Sequence, residues 1–156
     1  MADIAFAQPP RGSGGATAAG GQAGQADQAL SRHECLGLLA IAPVGRIIYS
    51  RQALPAAEPV DFAVDRDSVV IRVDERSRLA KAVEHAVVAF EADEYDAAAG
   101  TGWSVTVVGE SSGVAEPAEV KRLSGIIREH WCTDGKDHLV RIGIASVAGR
   151  RIVSAA

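Results

Sequence analysis

Residues 59–74, PVDFAVDRDSVVIRVD, decide the fold. Apolar and polar positions alternate on either side of Asp65-Arg66-Asp67, the pattern of two half-buried strands joined by a turn, so the segment is predicted to be a β-hairpin. Upstream, VGRIIYS, Val44 to Ser50, gives a first strand. It is preceded by Ser31-Arg32-His33-Glu34, whose S-x-x-E form lets the serine cap the N3 amide while the glutamate reaches back. Cys35, Leu38 and Leu39 then share one helical face until Pro43 limits the helix.

Downstream, SRLAKAVEHA, Ser77 to Ala86, reads as a short helix with a serine cap and Leu79, Ala82, Val83 and Ala86 on one face. AVVAFEADEY, Ala86 to Tyr95, and Thr101 to Val114 return to strand character, with Gly109 and Gly113 as positions for a bend. Pro117 suits the first turn of a helix over about residues 118–130. LVRIGIASV and GRRIVS supply the last strands. Six or seven strands with a few short helices predict a mainly β domain, an antiparallel barrel or strongly curved sheet.

The first 29 residues differ from this pattern. PPRGSGGATAAGGQAGQADQ is Gly, Ala, Gln and Pro with almost nothing to bury, and predicts a disordered tail ahead of one folded domain over 30–156. Its GSGG lacks the strand before and helix after that a dinucleotide fingerprint requires. Of the 156 residues, 47% are hydrophobic but only 4% aromatic, so Val, Ile, Leu and Ala must fill the core. A net charge of −4 gives no chain-wide attraction for nucleic acid. No apolar run approaches the roughly 18 residues of a membrane span, and no basic-then-apolar leader is present, so a cytoplasmic location is expected. Cys35 and Cys132 lack the spacing of a disulfide framework or a thiolate zinc site.

Two groups of residues are candidates for chemistry. Arg72, Ser77, Arg78 and Lys81 combine a strand arginine with a cationic helix start, a pattern able to hold a phosphate through forked guanidinium hydrogen bonds. The same pattern also fits a solvated loop with local ion pairs to Asp74 and Glu75. In TGWSVTVVGE, Thr101 to Glu110, Trp103 beside a glycine either walls a slot for a flat ring or plugs a barrel end. His33, His130 and His138 have no recognised zinc spacing, so no metal is expected. No GxSxG elbow surrounds Ser104, and no general base stands out, so catalytic residues are unknown at this level.

Taken in order, VGRIIYS, PVDFAVDRDSVVIRVDERSRLAKA, VVAFEADEYD, TGWSVTVVGE and the terminal GRRI resemble the pyridoxamine 5'-phosphate oxidase-like family of flavin-binding split barrels. The resemblance implies a six-stranded antiparallel split β-barrel and a homodimer with FMN at the subunit interface. It places Arg72, Ser77 and Arg78 at the flavin phosphate, with Lys81 of the same cationic cluster beside them, and Trp103 and Ser104 beside the cofactor. Arg150 and Arg151 match the closing GRRI, where an arginine, assigned as Arg150, would reach a phosphate or acidic group. Val73 and Arg78 stand where relatives more often have threonine and lysine.

The activity so implied is oxidation or reduction of a small molecule. The same barrel also implies two alternatives, a deazaflavin-dependent reductase and a non-catalytic flavin-binding protein. HWCTDG, residues 130–135, replaces a Pro-Trp pair common in relatives, and its histidine and cysteine bring haem into view as the least supported cofactor.

Overall fold

The computed structural model describes residues 26–128 and 137–154. The predicted flexibility of residues 1–25 and the readings of His130, Cys132 and HWCTDG lie outside them. In chain order the elements are β1 (Ala26–Ala29), α1 (Arg32–Ile41), β2 (Gly45–Arg51), β3 (Leu54–Asp65), β4 (Ser68–Asp74) and α2 (Arg78–Ala82). They continue with β5 (Val87–Asp96), β6 (Thr101–Gly113), α3 (Pro117–Ser124), β7 (Asp137–Gly143) and β8 (Ser146–Val153). No helix among the described residues is long and apolar enough to cross a membrane.

The strands pair antiparallel in the order β1-β8-β6-β5-β2-β3-β4-β7, and β6 also pairs β7. β2 to β7 therefore close a six-stranded ring, while β8 and β1 extend from β6 outside it. One edge of β6 follows β5 from Thr101 to Glu110. Its other edge changes partner, running along β8 from Gly102 to Val108 and along β7 from Ser111 to Gly113. Gly109 stands at the change. A Cβ there would lie 1.5 Å from the Gly143 carbonyl oxygen, so only glycine lets the two backbones meet where the barrel splits.

Alternation along the strands fills the interior. Ile47, Val69, Ile71, Phe90, Val105, Val107 and Ile142 point inward and are fully buried. Phe62 and Phe90 make a tilted ring pair with centroids 4.7 Å apart. α1 contributes Cys35 and Leu39 to this core, α2 contributes Leu79, and Val83 follows from the cap of α2. A second cluster, Val70, Leu139, Leu123 and Ile127, packs α3 on the outer face of β4 and β7.

The predicted capping box is present: Ser31 Oγ accepts from the Glu34 amide at 3.3 Å, and Glu34 accepts from the Ser31 amide at 2.8 Å. Those bonds hold the Glu34 carboxyl below its ordinary pKa. The hairpin over 59–74 also forms, with a correction at its turn. The turn is Arg66-Asp67, with Arg66 at φ 53°, and Asp65 ends β3 opposite Ser68.

Asp65 is buried and accepts from Arg122 through both carboxylate oxygens, at 3.1 and 2.9 Å, and from Arg141 at 2.9 Å. Arg141 also donates to Ser68 Oγ at 2.7 Å and to Glu119 at 2.7 Å. This cluster ties α3 to β3, β4 and β7. The arginine hydrogen bonds hold the Asp65 carboxyl far below the usual range.

Three elements depart from the sequence reading. Ala26–Ala29, read as tail, pairs with Arg150–Val153 of β8, bringing the strand number to eight. α2 ends at Ala82 rather than Ala86, and α3 ends at Ser124. Ser111 explains the first ending: its hydroxyl donates to the Val83 and Ala86 carbonyls, drawing the chain out of the helix toward β5.

Candidate functional site

The four phosphate candidates divide in space. Arg78 and Lys81 line one cleft of about 430 Å³ with Ser50, Arg51 and Gln52. β2 delivers Arg51 at its end, and α2, seated on β2 and β4, presents the other two cations. Ser77 borders this group as the cap of α2, its hydroxyl accepting from the Ala80 amide at 3.1 Å. Arg72 lies elsewhere. On β4 its neighbours Ile71 and Val73 point into the core, so Arg72 between them points out of the barrel. There it shares the outer face with Val70, stands opposite Asp61 and lies 3.7 Å from Asp137, with its side chain only 11% exposed.

The second group divides by face. Trp103 continues the inward series of Val105 and Val107 and packs on the edge of the core. With Gly102, Glu94, Asp96, Arg151 and Ile152 it lines a separate cleft of about 320 Å³. Ser104 and Arg150 are cross-strand neighbours on the opposite face, where Arg150 approaches Asp27 of β1 at 3.5 Å. The space beside Gly102 is taken by its cross-strand partner: a Cβ there would sit 2.8 Å from the Tyr95 ring and 2.6 Å from the Glu94 carbonyl oxygen. Glycine before Trp103 thus admits Tyr95.

One arginine, Arg51, was missed from the sequence, and another, Arg151, was read only together with Arg150 as part of GRRI. Arg51 joins Arg78 and Lys81 because the ring seats β2 under α2, and Arg151 joins Trp103 because it stands directly opposite on β8. Only the face periodicity of GRRI could have separated Arg151 from Arg150. Near the first cleft, the Tyr49 hydroxyl donates to Glu58, and that bond pushes the phenol pKa up while Arg51 and Arg78 act more weakly the other way. Three cations, a serine hydroxyl and a glutamine amide form a donor set suited to a phosphate. Among the described residues, no group of three or more His, Cys, Asp or Glu is placed to hold a metal ion.

A ring of β2 to β7 that opens at Gly109, with a cationic cleft beside its short helix, defines a split β-barrel of the flavin-protein type. The chain belongs to the pyridoxamine 5'-phosphate oxidase family, whose model matches residues 31–151. It is 36% identical over 130 residues to an uncharacterized protein of Mycobacterium tuberculosis, covering 80% of this chain and 85% of that one. The structure of the FAD binding protein from Mycobacterium smegmatis is similar at 31% identity and a TM-score of 0.72, covering 81% of this chain and 98% of the other. An FAD-binding protein from Mesorhizobium loti shares the fold at 20% identity and a TM-score of 0.74, over 84% and 100% of the two chains.

Proposed function

We propose that the protein binds a flavin by its phosphate in the Arg51, Arg78 and Lys81 cleft, and serves oxidation or reduction of a small molecule. The observation that carries this reading is the convergence of three cations from β2 and α2 on one cleft, in a chain 31% identical to an FAD binding protein. Arg51 and Arg78 would give forked hydrogen bonds to phosphate oxygens, Lys81 a third positive charge, and Ser50 and Gln52 neutral donors. A bound flavin supplies hydride or single-electron transfer. The cleft residues hold and orient the cofactor.

The reading includes a homodimer with the cofactor at the subunit interface. The phosphate cleft and the Trp103 cleft share no residue within one chain, so a second copy is the means of bringing an aromatic wall to the phosphate site.

Titration of apo-protein with flavin, followed by fluorescence, tests the binding. Wild type should quench flavin emission, and Arg78→Ala should weaken binding about tenfold or more, the scale of a lost charged hydrogen bond. Unchanged affinity in Arg78→Ala would refute the cleft. Turnover of a reduced nicotinamide with an artificial acceptor separates an oxidoreductase from a flavin carrier.

A further inference from the structure

The barrel end that carries Trp103 sets three different chemistries in one row. Register pairs Glu94 of β5 with Trp103 of β6, and Trp103 with Arg151 of β8. Cross-strand partners share a face, so carboxylate, indole and guanidinium all project on the side of Val105 and line the cleft of about 320 Å³. Glu94 and Arg151 start two strand spacings apart, about 10 Å, with the indole between them. They do not pair with each other. Among the described residues Glu94 has no ion pair, and Arg151 acts only at longer range, on Glu34. Asp96, the other carboxylate of the lining, is committed to the turn after β5, where it accepts from the Ala98 and Ala99 amides at 2.9 and 3.0 Å. Glu94 and Arg151 are thus the two charges left for a ligand, and both are exposed.

Such a row selects by charge as well as by shape. A flat ring lying on the indole gains stacking. An ammonium at one end of that ring meets Glu94 and the π-face of Trp103. A carboxylate at the other end takes forked hydrogen bonds from Arg151. An α-amino acid carries both charges on one carbon and reaches one of these partners at a time. A phosphate ester brings up to two negative charges to a lining in which carboxylates already outnumber the arginine, and is disfavoured.

We propose that the Glu94, Trp103 and Arg151 row binds a small flat-ring zwitterion with its amine and its carboxylate at opposite ends. The site follows from strand register and stands without a flavin. Its role as a substrate site rests on the flavin reading above, in which a second copy brings this wall to the cofactor.

Calorimetric titration of the full-length, flavin-free protein with para-(aminomethyl)benzoate, benzylamine, benzoate, phenylalanine and pyridoxamine 5'-phosphate tests it. The first should bind several-fold more tightly than each of the others. Glu94→Gln should lower its affinity to that of benzoate, and Arg151→Gln to that of benzylamine, with thermal melts unchanged at these exposed positions. Benzoate binding should survive Glu94→Gln, and benzylamine binding should survive Arg151→Gln. Equal affinity for the zwitterion and either single-charge probe, variants that weaken all probes alike, or tighter binding of phenylalanine or pyridoxamine 5'-phosphate would overturn the proposal. Binding of no probe by a protein that still takes up flavin would overturn this site and leave the phosphate cleft standing. Zwitterion binding by a protein that takes up no flavin would sustain the site and remove only its role toward a substrate.

Discussion

Replacing Asp65 with alanine removes the carboxylate on which two arginines converge. Three charge-assisted hydrogen bonds end on it, two from Arg122 and one from Arg141. Each such bond is worth about 1.5–3 kcal/mol net when its partners have no other recourse. Here the arginine side chains are 42% and 30% exposed, so water rehydrates them, and both keep Glu119. The expected loss is therefore about 3 kcal/mol, below the simple total of the bonds. For a domain of this size that is a fall in Tm of roughly 10 °C, read by calorimetry at pH 7.

The effect also has a predicted pH dependence. Because the folded Asp65 pKa is depressed, its stabilisation is fully present above the ordinary value of 3.8 and is lost as pH falls through the folded value. The gap between wild type and variant should stay constant from about pH 5 to 8 and shrink below about pH 4. A Tm within about 2 °C of wild type at pH 7 would refute the clamp, and a gap that grew on acidification would refute the assigned sign.

Other substitutions test other parts of the molecule. Gly109→Ala places a methyl group against the Gly143 carbonyl and should leave little soluble, cooperatively melting protein, as judged by expression and thermal melts. Ala53→Gly should raise Tm by about 2–4 °C, because Ala53 sits at φ 63° in the β2–β3 turn, where glycine carries no penalty. Arg72→Ala should lower Tm and change flavin affinity less than Arg78→Ala does, since Arg72 stands beside Asp137 and opposite Asp61 on the outer face. The reverse order of affinities would return Arg72 to the phosphate site.

The elements that depend on local chemistry were legible in the sequence. The Ser31 box, the alternation on both arms of 59–74 and the Ser77 cap each act within a few residues, so spacing alone reveals them. β1 was not legible, because an edge strand is held by backbone pairing and Ala-Asp-Gln-Ala has no apolar pattern to announce it. Arg51 was hidden for a different reason: its place beside Arg78 comes from closure of the ring, across 27 residues of chain. Arg72 shows the converse. Adjacency in sequence suggested one patch with Arg78, yet the alternation of β4 turns its side chain out of the barrel.

The change of partner along β6 sets an order of events during synthesis. β6 is complete at Gly113, but the strand that closes its ring, β7, begins only at Asp137, and β8 follows at Ser146. Until β7 and β8 leave the ribosome, the long strand has one free edge and the barrel is an open, curved sheet. Its apolar interior is then reachable by other chains, and closure waits on contacts distant in sequence. A chain stopped before β7 would therefore leave an open, adhesive sheet, so β7 acts as the clasp that makes the nascent barrel safe.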